Sequence, residues 1–376
     1  MGTLVLYLSI FGVLCWWSLI LLPWHPYRVR EKIEAGVSEK TKSLLSDITV
    51  LIPARNEGQY IQRTIKSVQV QGKGACIVVI DDQSSDNTAK QARLCGVQVI
   101  SGIAPPPGWS GKLWALQQGL QEVRTPYTLL MDADIVLTPG IISELRQKAL
   151  DENLAFLSLM AEPPMGNFVE RLLMPAFIFF FKLLYPFSLA NKPDSRVAAA
   201  AGGCILVETQ ALRRIGAFNC LHDALIDDCT LAAHIKQAGL RTWIGLSRAA
   251  RSHRGYHDLK QIWEMVARTA YTQLRYSTVL LAACTLIMVS MFWVAPLVFL
   301  IQSNSEIFWI SLLAWTAMFI SYMPTLIYYK RSPLWVFALP IIGTLYLAMT
   351  WTSAIRYWRG ERACWKDRRY ESKTNN

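Results

Sequence analysis

The chain has 376 residues and a formal net charge of +11, with 38 Lys or Arg against 27 Asp or Glu. Hydrophobic residues make up 52% of it, and its mean hydropathy of +0.25 is high for a soluble protein, which directs attention to membrane segments. The eight cysteines form no C-x-x-C pair and show no metal-ligand spacing with the five histidines, so a zinc site and a disulfide framework are not expected. Much of the positive charge flanks apolar runs, which favours anionic lipid headgroups as its partner and not nucleic acid.

The first apolar run, residues 1–24, carries no charge and exceeds the roughly 20 residues needed to cross a bilayer. It has neither a basic start nor a small-residue cleavage site, so it is interpreted as an uncleaved anchor. Arg28, Arg30 and Lys32 follow directly and predict that the next segment faces the cytoplasm. The expected protein is multi-pass in a bacterial-type inner (cytoplasmic) membrane, with an anchor over 1–24, a cytoplasmic domain over 25–276, transmembrane segments over 277–355 and a basic tail over 356–376.

The C-terminal topology contains a conflict. The charge-free runs 276–305, 307–329 and 332–355, counted with the anchor as full crossings, would place the tail outside the cell. Residues 356–376, however, contain seven Lys or Arg and three acidic residues. By the positive-inside rule, a segment this basic is expected in the cytoplasm. One of the last segments is therefore expected to be re-entrant, and the candidate is 332–355, which contains Pro340 and Gly343.

The polar domain begins with an alternation of short β-branched runs and helical periodicity between residues 47 and 160. It predicts an α/β fold with a βα-repeating, mostly parallel sheet. In such sheets ligands bind at the carboxyl ends of the strands. Three predicted strands end there in polar stretches, so one site is expected from "IPARNEG", "IDDQSSDNT" and "MDAD".

Two further stretches of the polar domain have helical patterns suited to a membrane surface. The stretch 168–190 is apolar but interrupted by charges and prolines, and is interpreted as an interfacial helix, with a buried core hairpin as the alternative. A second interfacial helix is predicted near 258–276. Its apolar face comprises Leu259, Ile262, Trp263, Val266, Ala270 and Leu274.

The motif "LLMDADIVLTPG" ends an apolar strand on two carboxylates, Asp132 and Asp134. Burying an unpaired carboxylate costs several kcal/mol, roughly, so a positive partner is expected. A D-x-D at a strand end can hold Mg²⁺ or Mn²⁺ bridging a diphosphate, because these ions prefer carboxylate oxygens and keep positions open for phosphate. The alternative is that one Asp caps the turn and the other is solvated.

Other strand ends and loops add candidates for the same site. Asp81 and Asp82 precede "QSSDNT", a helix-start signature that would direct backbone N–H groups toward a ligand, with plain turn chemistry as the alternative. Lys112 follows the loop "PPPGWSG" and is placed to meet a phosphate as a point charge, although a lone lysine is usually a solvated surface residue.

The stretch "AAAAGGCILVE" and the later "ALIDDCTLAAHI" supply the remaining candidates. Gly202 and Gly203 would let the backbone approach a ligand closely, or form an ordinary turn. Asp227 and Asp228 begin an apolar helical run, where they would either cap the helix or supply a general base for an attacking hydroxyl.

Taken in order, "VLIPARNEG", "IDDQSSDNT", "MDAD" and "IDDCTLA" resemble the membrane-bound inverting glycosyltransferases of family two, whose nucleotide-sugar-binding domain has the GT-A fold. The resemblance covers roughly residues 47–276. The loop "GWSGKLWALQQG" and the tail "CWKDRRY" look like the branch that glycosylates lipids, which includes hopanoid-associated, ceramide and carotenoid glycosyltransferases. The chain is most similar to the hopanoid-associated group.

The resemblance implies a donor, a cofactor and roles for the site residues. The donor would be a nucleotide-diphosphate sugar, expected to be a UDP-sugar, and the cofactor Mg²⁺ or Mn²⁺. Asp81 or Asp82 would recognise the base, Lys112 would contact the diphosphate, and the nucleotide pocket would be lined by Pro53, Ala54, Arg55 and Glu57. Asp132 would face the ribose and the metal, Asp134 would coordinate the metal, and Asp228 would be the base.

The implied reaction is a single displacement that transfers one sugar to a membrane lipid-like hydroxyl, such as that of a hopanoid, with inversion. Many relatives carry Q-x-x-R-W on an interfacial helix, whereas "VARTAYTQLRYS" lacks that motif, so Arg268 and Arg275 are its nearest equivalents. This departure disfavours the alternative of a processive polysaccharide synthase. The alternative of another class is a catalytically inactive, lipid-binding membrane scaffold, which the retained aspartates disfavour.

Overall fold

The computed structural model describes residues 2–36, 44–221, 226–300, 305–361, 364–365 and 368–369. The chain divides into two compact units. The sheet unit comprises Glu31–Pro164, Phe187–Gly255 and Arg362–Asn376, and the apolar-helix unit comprises Met1–Arg30, Met165–Pro186 and Tyr256–Glu361.

The strands that the structure describes all belong to the sheet unit. They are β1 (Ile48–Ala54), β2 (Cys76–Asp81), β3 (Gln98–Ser101), β4 (Tyr127–Met131), β5 (Ile135–Leu137), β6 (Phe156–Glu162), β7 (Cys204–Glu208), β8 (Thr242–Ser252), β9 (Cys364–Trp365) and β10 (Arg368–Arg369).

The helices are distributed over both units. They are α1 (Gly2–Leu21), α2 (Ile61–Gln69), α3 (Thr88–Arg93), α4 (Gly111–Gly119), α5 (Ile141–Glu152), α6 (Phe168–Leu184), α7 (Phe187–Ala190), α8 (Thr209–Arg214), α9 (Asp227–Gln237), α10 (Leu259–Ala267), α11 (Ala270–Gln273), α12 (Thr278–Val289), α13 (Ala295–Leu297), α14 (Ser305–Tyr328) and α15 (Leu339–Trp358).

The main sheet has eight strands in the order β3-β2-β1-β4-β7-β6-β8-β5. The half formed by β3, β2, β1 and β4 is parallel, as predicted. In the other half, β6 and β8 pair in parallel and run in the same direction as β4, so six of the eight strands share one direction and the prediction of a mostly parallel sheet is confirmed. The exceptions are β5, which is antiparallel to β8, and β7, which is antiparallel to both β4 and β6. For β7 the reason lies in α6, which separates β6 from β7 in sequence but belongs to the apolar-helix unit, so it does not form the crossover that a parallel βαβ connection requires.

Apolar side chains cover both faces of the sheet. On one face α2 contributes Ile61, Ile65 and Val68, which are all buried, as their helical spacing predicts. On the other face α4 contributes Leu113 and Leu116, packed with α9. The sheet unit is therefore a three-layer α/β domain with helices on both faces.

In the apolar-helix unit, four helices are long and apolar enough to cross a membrane, counting only described residues. They are Thr3–Leu21, Thr278–Leu300, Glu306–Tyr328 and Pro333–Trp358. These helices coincide with the predicted N-terminal anchor and the three predicted C-terminal runs, and they indicate that the protein is associated with a membrane.

The stretch 168–190 is helical and not a hairpin, since α6 covers most of it. Asn167 and Glu170 form a reciprocal capping box at its start, and Pro175 lies inside the helix. The second stretch is divided into α10 and α11, because the helix breaks at Arg268 and Thr269. The location of both stretches at the membrane interface stays a prediction.

Two of the membrane-length helices, Thr278–Leu300 and Pro333–Trp358, run antiparallel. Trp293 Nε1 donates to Thr344 Oγ1 (2.5 Å) and Trp351 Nε1 donates to Thr285 Oγ1 (3.0 Å). Just before α12, the Tyr276 ring stacks on Tyr357 near the end of α15, with 4.4 Å between centroids. The start of α12 and the end of α15 therefore lie together. Of the predicted basic tail, residues 362–363, 366–367 and 370–376 lie outside the described residues.

Candidate active site

The carboxyl ends of β2, β1 and β4 meet at one edge, because these three strands are parallel neighbours. Ala54 pairs with Asp81 across β1 and β2, and the Asp82 N–H donates to the Ala54 carbonyl (2.8 Å). Arg55 Nη1 donates to the Asp82 carbonyl (2.7 Å). The stretches "IPARNEG" and "IDDQSSDNT" therefore form one connected loop pair.

Further hydrogen bonds fix this loop pair. Asn56 adopts a left-handed φ of 52°, and its side chain accepts from the Ser85 N–H (2.9 Å). Asp86 accepts from the backbone N–H of Gly58 (3.0 Å) and of Thr88 (2.9 Å). The helix-start signature is thus confirmed at α3, and one of its first backbone N–H groups, that of Thr88, donates to Asp86.

Asp81 and Asp82 are both buried, at 8% and 1% exposure. Within the described chain, the Oδ1 atom of Asp81 is buried and has no hydrogen-bond partner. A buried acceptor without a donor is costly, by about 1–3 kcal/mol. This oxygen therefore suits a ligand that brings an N–H group to it.

Asp132 follows β4 and is held on both sides. Its N–H donates to the Gly203 carbonyl (3.1 Å), and its Oδ1 forms an ion pair with Lys112 Nζ (2.6 Å). Lys112 is the second residue of α4, which begins at the Ser110 N-cap. Burial alone would lower the pKa of Lys112, but the carboxylates of Asp132, Asp227 and Asp228 outweigh it and raise that pKa above its ordinary value, so Lys112 stays charged.

Asp134 lies two residues further and contacts the end of β8. Its Oδ2 is 3.3 Å from Arg254 Nε and accepts from Ser252 Oγ (3.1 Å). Its backbone carbonyl accepts from the His253 N–H (2.9 Å). Burial, followed by the charge of Asp132, raises the pKa of Asp134, while Arg254 and Ser252 oppose that rise.

Asp227 and Asp228 form the first turn of α9. The Asp228 Oδ1 accepts from the Cys229 N–H (2.8 Å). Burial and the adjacent Asp227 carboxylate raise the pKa of Asp228 to about 7, although the Cys229 N–H, Lys112 and the Gly202 N–H act in the opposite direction. A carboxylate with a pKa near neutrality is suited to accept a proton.

Gly202 brings the backbone against two of these groups. A Cβ at this position would lie 3.3 Å from Lys112 Nζ and 3.5 Å from Asp228 Oδ2. A Cβ at Gly203 would lie 3.2 Å from Ile135 Cδ1. Neither glycine has a positive φ, so close approach and not a left-handed turn explains the absence of a side chain at both positions.

A narrow cleft, partly open to solvent, lies among these residues. Its polar lining comprises Lys112, Asp132, Gly202, Asp227 and Asp228. The remaining lining is Pro53, Leu113, Leu116, Leu130, Met131, Ile205, Phe218, Leu221 and Leu231. The cleft is therefore lined by both charged groups and apolar side chains.

The carboxylates of Asp132 and Asp134 are the candidate ligands for a metal ion. No group of three or more His, Cys, Asp or Glu able to hold a metal ion occurs among the residues described here. Mg²⁺ is commonly held by one or two carboxylates together with substrate phosphates, which requires no third protein ligand. The Asp132 charge raises the pKa of Asp134, and a cation near the pair would relieve that repulsion. The donor set thus fits a divalent cation shared with a phosphorylated ligand.

The predicted site residues divide between the two units. Pro53, Lys112, Asp132, Gly202, Asp227 and Asp228 line the cleft, and Ala54, Arg55, Glu57, Asp81, Asp82, Asp134 and Gly203 lie on the loops of the same unit. Arg268 and Arg275 belong to the apolar-helix unit. Their assignment to the nucleotide site stays a prediction, as do the individual roles of the other residues.

Sequence reasoning missed Arg254 and Ser252. It expected a positive partner for the D-x-D, and the structure supplies one cation for each carboxylate, Lys112 for Asp132 and Arg254 for Asp134. The stretch "SRAARSHRG" carries arginines three residues apart at the end of β8. That spacing was the available signal, but β8 was not predicted as a strand, so its end could not be placed beside Asp134.

The mixed sheet, its flanking helices and the acidic strand ends define a GT-A fold. A solved mannosyltransferase from Pyrobaculum calidifontis, in complex with GDP-Man and Mn²⁺, aligns over 95% of this chain and 100% of its own, with a TM-score of 0.56 and 14% sequence identity. At that identity the likeness supports the fold alone.

Residues 49–216 match the model of Glycosyl transferase family 2. The chain therefore contains a glycosyltransferase family 2 domain, which confirms that part of the resemblance. The 4,4'-diaponeurosporenoate glycosyltransferase of Staphylococcus haemolyticus (strain JCSC1435) is 36% identical over 92 residues, 24% of each chain. That of Staphylococcus aureus (strain N315) is 35% identical over 100 residues, 26% of this chain and 27% of its own. The chain thus aligns with about a quarter of the length of these relatives.

Proposed function

We propose that this protein is a membrane-anchored glycosyltransferase that moves one sugar from a nucleotide-diphosphate sugar to a lipid-like hydroxyl acceptor, with inversion at the anomeric carbon. The observation that carries the proposal is the cleft in which Lys112, paired with Asp132, and Asp228, with its raised pKa, both lie against Gly202. The family 2 match over residues 49–216 supports the class of reaction.

The loops after β1 and β2 would bind the nucleotide. Arg55 fixes the backbone of Asp82, and Asp81 Oδ1 is a buried acceptor that still needs a donor. The imide N–H of uracil or the N1–H of guanine would satisfy it. We expect a UDP-sugar as the donor.

The diphosphate would bind near Lys112, whose ammonium group would stabilise the negative charge that develops on the leaving group. Asp132 and Asp134 would hold Mg²⁺ or Mn²⁺ with the same diphosphate. When bound, the ion supplies positive charge to the diphosphate oxygens. Lys112 would remain a fixed cation throughout, because the surrounding carboxylates raise its pKa.

Asp228 would act as the general base. Its carboxylate would take the proton from the acceptor hydroxyl, so that the oxygen attacks the anomeric carbon on the face opposite the nucleotide. A carboxylate normally ionised at low pH is a weak base, and the combined effect of burial and Asp227 strengthens it. One displacement inverts the anomeric centre.

The acceptor is proposed to be a membrane lipid, because four membrane-length helices belong to the same chain. A hopanoid is our first candidate, on the resemblance of the loop "GWSGKLWALQQG" to hopanoid-associated enzymes. The curated relatives named above act on 4,4'-diaponeurosporenoate, so a carotenoid is the competing candidate. Incubating the purified protein with each acceptor class and a labelled donor, followed by mass spectrometry of the lipid product, separates the two.

The test of the donor site is calorimetry of nucleoside diphosphates in detergent, with Mn²⁺ or a chelator, for the wild type and Asp134→Ala. We expect one nucleotide to bind in a metal-dependent manner and the metal dependence to disappear in the variant. Absence of nucleotide binding under every condition would refute the proposal that the protein is a glycosyltransferase, and would favour the alternative of a lipid-binding scaffold.

The membrane orientation is also a proposal, with the sheet unit and the tail in the cytoplasm. The stacking of Tyr276 on Tyr357 supports an even number of crossings between them, so one of the three intervening helices would not cross the membrane fully. This agrees with the re-entrant segment expected from the basic composition of 356–376. Fluorescent-protein and alkaline phosphatase fusions at the C-terminus test it. A fluorescent fusion and an inactive phosphatase are expected, and the reverse pattern would refute this topology.

A further inference from the structure

We infer that Arg254 is a positioning residue of the proposed active site, which holds Asp134 in place for a divalent cation and links it to the loop that carries Glu57. The inference rests on the proposed function, since it assumes that Asp134 serves a metal-bound diphosphate. Neither the family match nor the motifs from which the site was predicted include this arginine.

The guanidinium group of Arg254 contacts two carboxylates and an aromatic ring. Its Nη2 forms a short ion pair with Glu57 Oε2, and its Nε lies 3.3 Å from Asp134 Oδ2. Its Cζ is 5.0 Å from the centre of the Tyr60 ring. Glu57 and Tyr60 follow β1, Asp134 follows β4, and Arg254 follows β8, so one side chain joins three strand ends.

The contact with Glu57 changes the interpretation of that residue. Glu57 was predicted to line the nucleotide pocket, but its side chain is only 6% exposed and is directed at Arg254. A buried carboxylate requires a cation or several donors, and Arg254 supplies the cation. Glu57 therefore acts on the site through Arg254.

The contact with Asp134 explains how its carboxylate is oriented. Arg254 Nε and Ser252 Oγ both bind Oδ2, and the described contacts of the side chain involve that oxygen. The other oxygen, Oδ1, is thereby left for a cation. Side chains that bond to a metal-ligating residue fix the orientation of that residue. Substituting such a side chain commonly weakens metal affinity by about 10- to 100-fold.

An arginine is required for this arrangement. Its planar fork can reach two carboxylates from fixed directions while lying against a ring, whereas the single ammonium of lysine cannot reproduce both directions. Arg254→Lys should therefore retain the charge and recover only part of the function. Arg254→Gln removes the charge at similar length.

The experiment measures the dissociation constants of UDP and GDP by calorimetry, each in Mn²⁺ and in EDTA, for the purified full-length protein. The ratio of the two constants for whichever nucleotide binds reports the contribution of the metal. In Arg254→Gln we expect the constant in Mn²⁺ to rise by about 10- to 100-fold. The constant in EDTA should stay unchanged, and Arg254→Lys should fall between this variant and the wild type.

Arg251→Gln is the matched control. Arg251 lies on β8, three residues before Arg254, and pairs with Glu162 at 2.7 Å. Its loss should therefore leave both dissociation constants unchanged. If Arg254→Gln does not fold, as judged by its thermal transition, the double variant Glu57→Gln, Arg254→Gln removes the buried charge together with its partner. The same selective loss of metal-dependent affinity is expected there.

The outcomes separate this inference from the proposed function. A wild-type protein with metal-dependent binding that disappears in Asp134→Ala, but persists in Arg254→Gln, would overturn the role of Arg254 and leave the proposed function intact. Equal losses in Mn²⁺ and EDTA would also overturn it, because they would indicate a general structural role or direct nucleotide contact. Absence of metal-dependent binding in the wild type would overturn the proposed metal site and this inference together.

Discussion

The two units of the molecule differ in the way that many of their polar side chains are bonded. In the sheet unit, charged side chains pair at the strand ends, with Lys112 on Asp132 and Arg254 on Glu57. In the apolar-helix unit, threonine hydroxyls donate to carbonyls of their own helix, as Thr285 does to Leu281 and Thr350 to Tyr346, although Thr285 also accepts from Trp351 of α15. A helix in lipid must satisfy its polar groups internally, whereas a ligand site must present charge. The charged strand ends of the first unit therefore suit a ligand site, and the internally bonded hydroxyls of the second suit a membrane, in keeping with the proposed division into a chemical and an anchoring unit.

The largest effect that tests this assignment is expected at Asp228. Asp228→Asn retains the size of the side chain but removes the proposed base, so the rate of sugar transfer should fall by about 10²- to 10⁴-fold. Product formation from a labelled donor measures it. Asp151→Asn, at an exposed position on α5, is the control and should retain the wild-type rate. A rate for Asp228→Asn within threefold, roughly, of the wild type would remove Asp228 from the mechanism.

The dependence of the rate on pH is the next largest effect. Because burial and Asp227 raise the pKa of Asp228 to about 7, the base is protonated at acidic pH and ionised above neutrality. The transfer rate at saturating donor should therefore rise about tenfold per pH unit up to that value and then level off. The residual activity of Asp228→Asn should not show this rise with pH. A wild-type rate that stays flat from acidic to neutral pH would contradict the assignment.

Sequence predicted the parts of the sheet unit that depend on local pattern. The β-branched runs identify β1 to β4, and the polar strand ends identify the site, because parallel strands must end at one edge. The antiparallel β7 was missed, since nothing local reveals that α6 leaves the sheet unit between β6 and β7. Long-range topology therefore limited the prediction more than residue chemistry did.

The same limit explains which site residues were found. Asp132, Asp134 and Lys112 belong to short motifs whose spacing carries their chemistry. Arg254 has no such motif, and it reaches Asp134 only because β8 and β5 pair antiparallel in the folded sheet. For the apolar-helix unit, composition alone predicted four membrane-length helices, but the adjacency of Tyr276 and Tyr357 depends on the way the helices pack.

A smaller effect is expected from packing in the apolar-helix unit. At Gly12 on α1, a Cβ would lie 2.3 Å from the Ser290 carbonyl oxygen and 2.9 Å from the Ala295 Cβ. Gly12→Val would therefore separate the helices and lower stability by about 1–3 kcal/mol, measured by thermal unfolding in detergent. Leu14→Val, at an exposed position on the same helix, should change stability little. If Gly12→Val also weakened nucleotide binding, the division into anchoring and chemical units would be too simple.

The smallest effect is expected from the ion pair of Glu264 and Arg356, which joins α10 to α15. Two hydrogen bonds of 2.6 and 2.8 Å connect the side chains, which are 48% and 33% exposed. An exposed pair of this kind contributes about 0–1 kcal/mol. Thermal unfolding of Glu264→Gln, Arg356→Gln and the double variant gives the coupling energy, which should be small and should decrease with salt. A coupling energy well above about 1 kcal/mol that salt leaves unchanged would mean that lipid shields the pair from water, since ions screen only accessible charges. The charged pairs of the two units would then differ in function but not in environment.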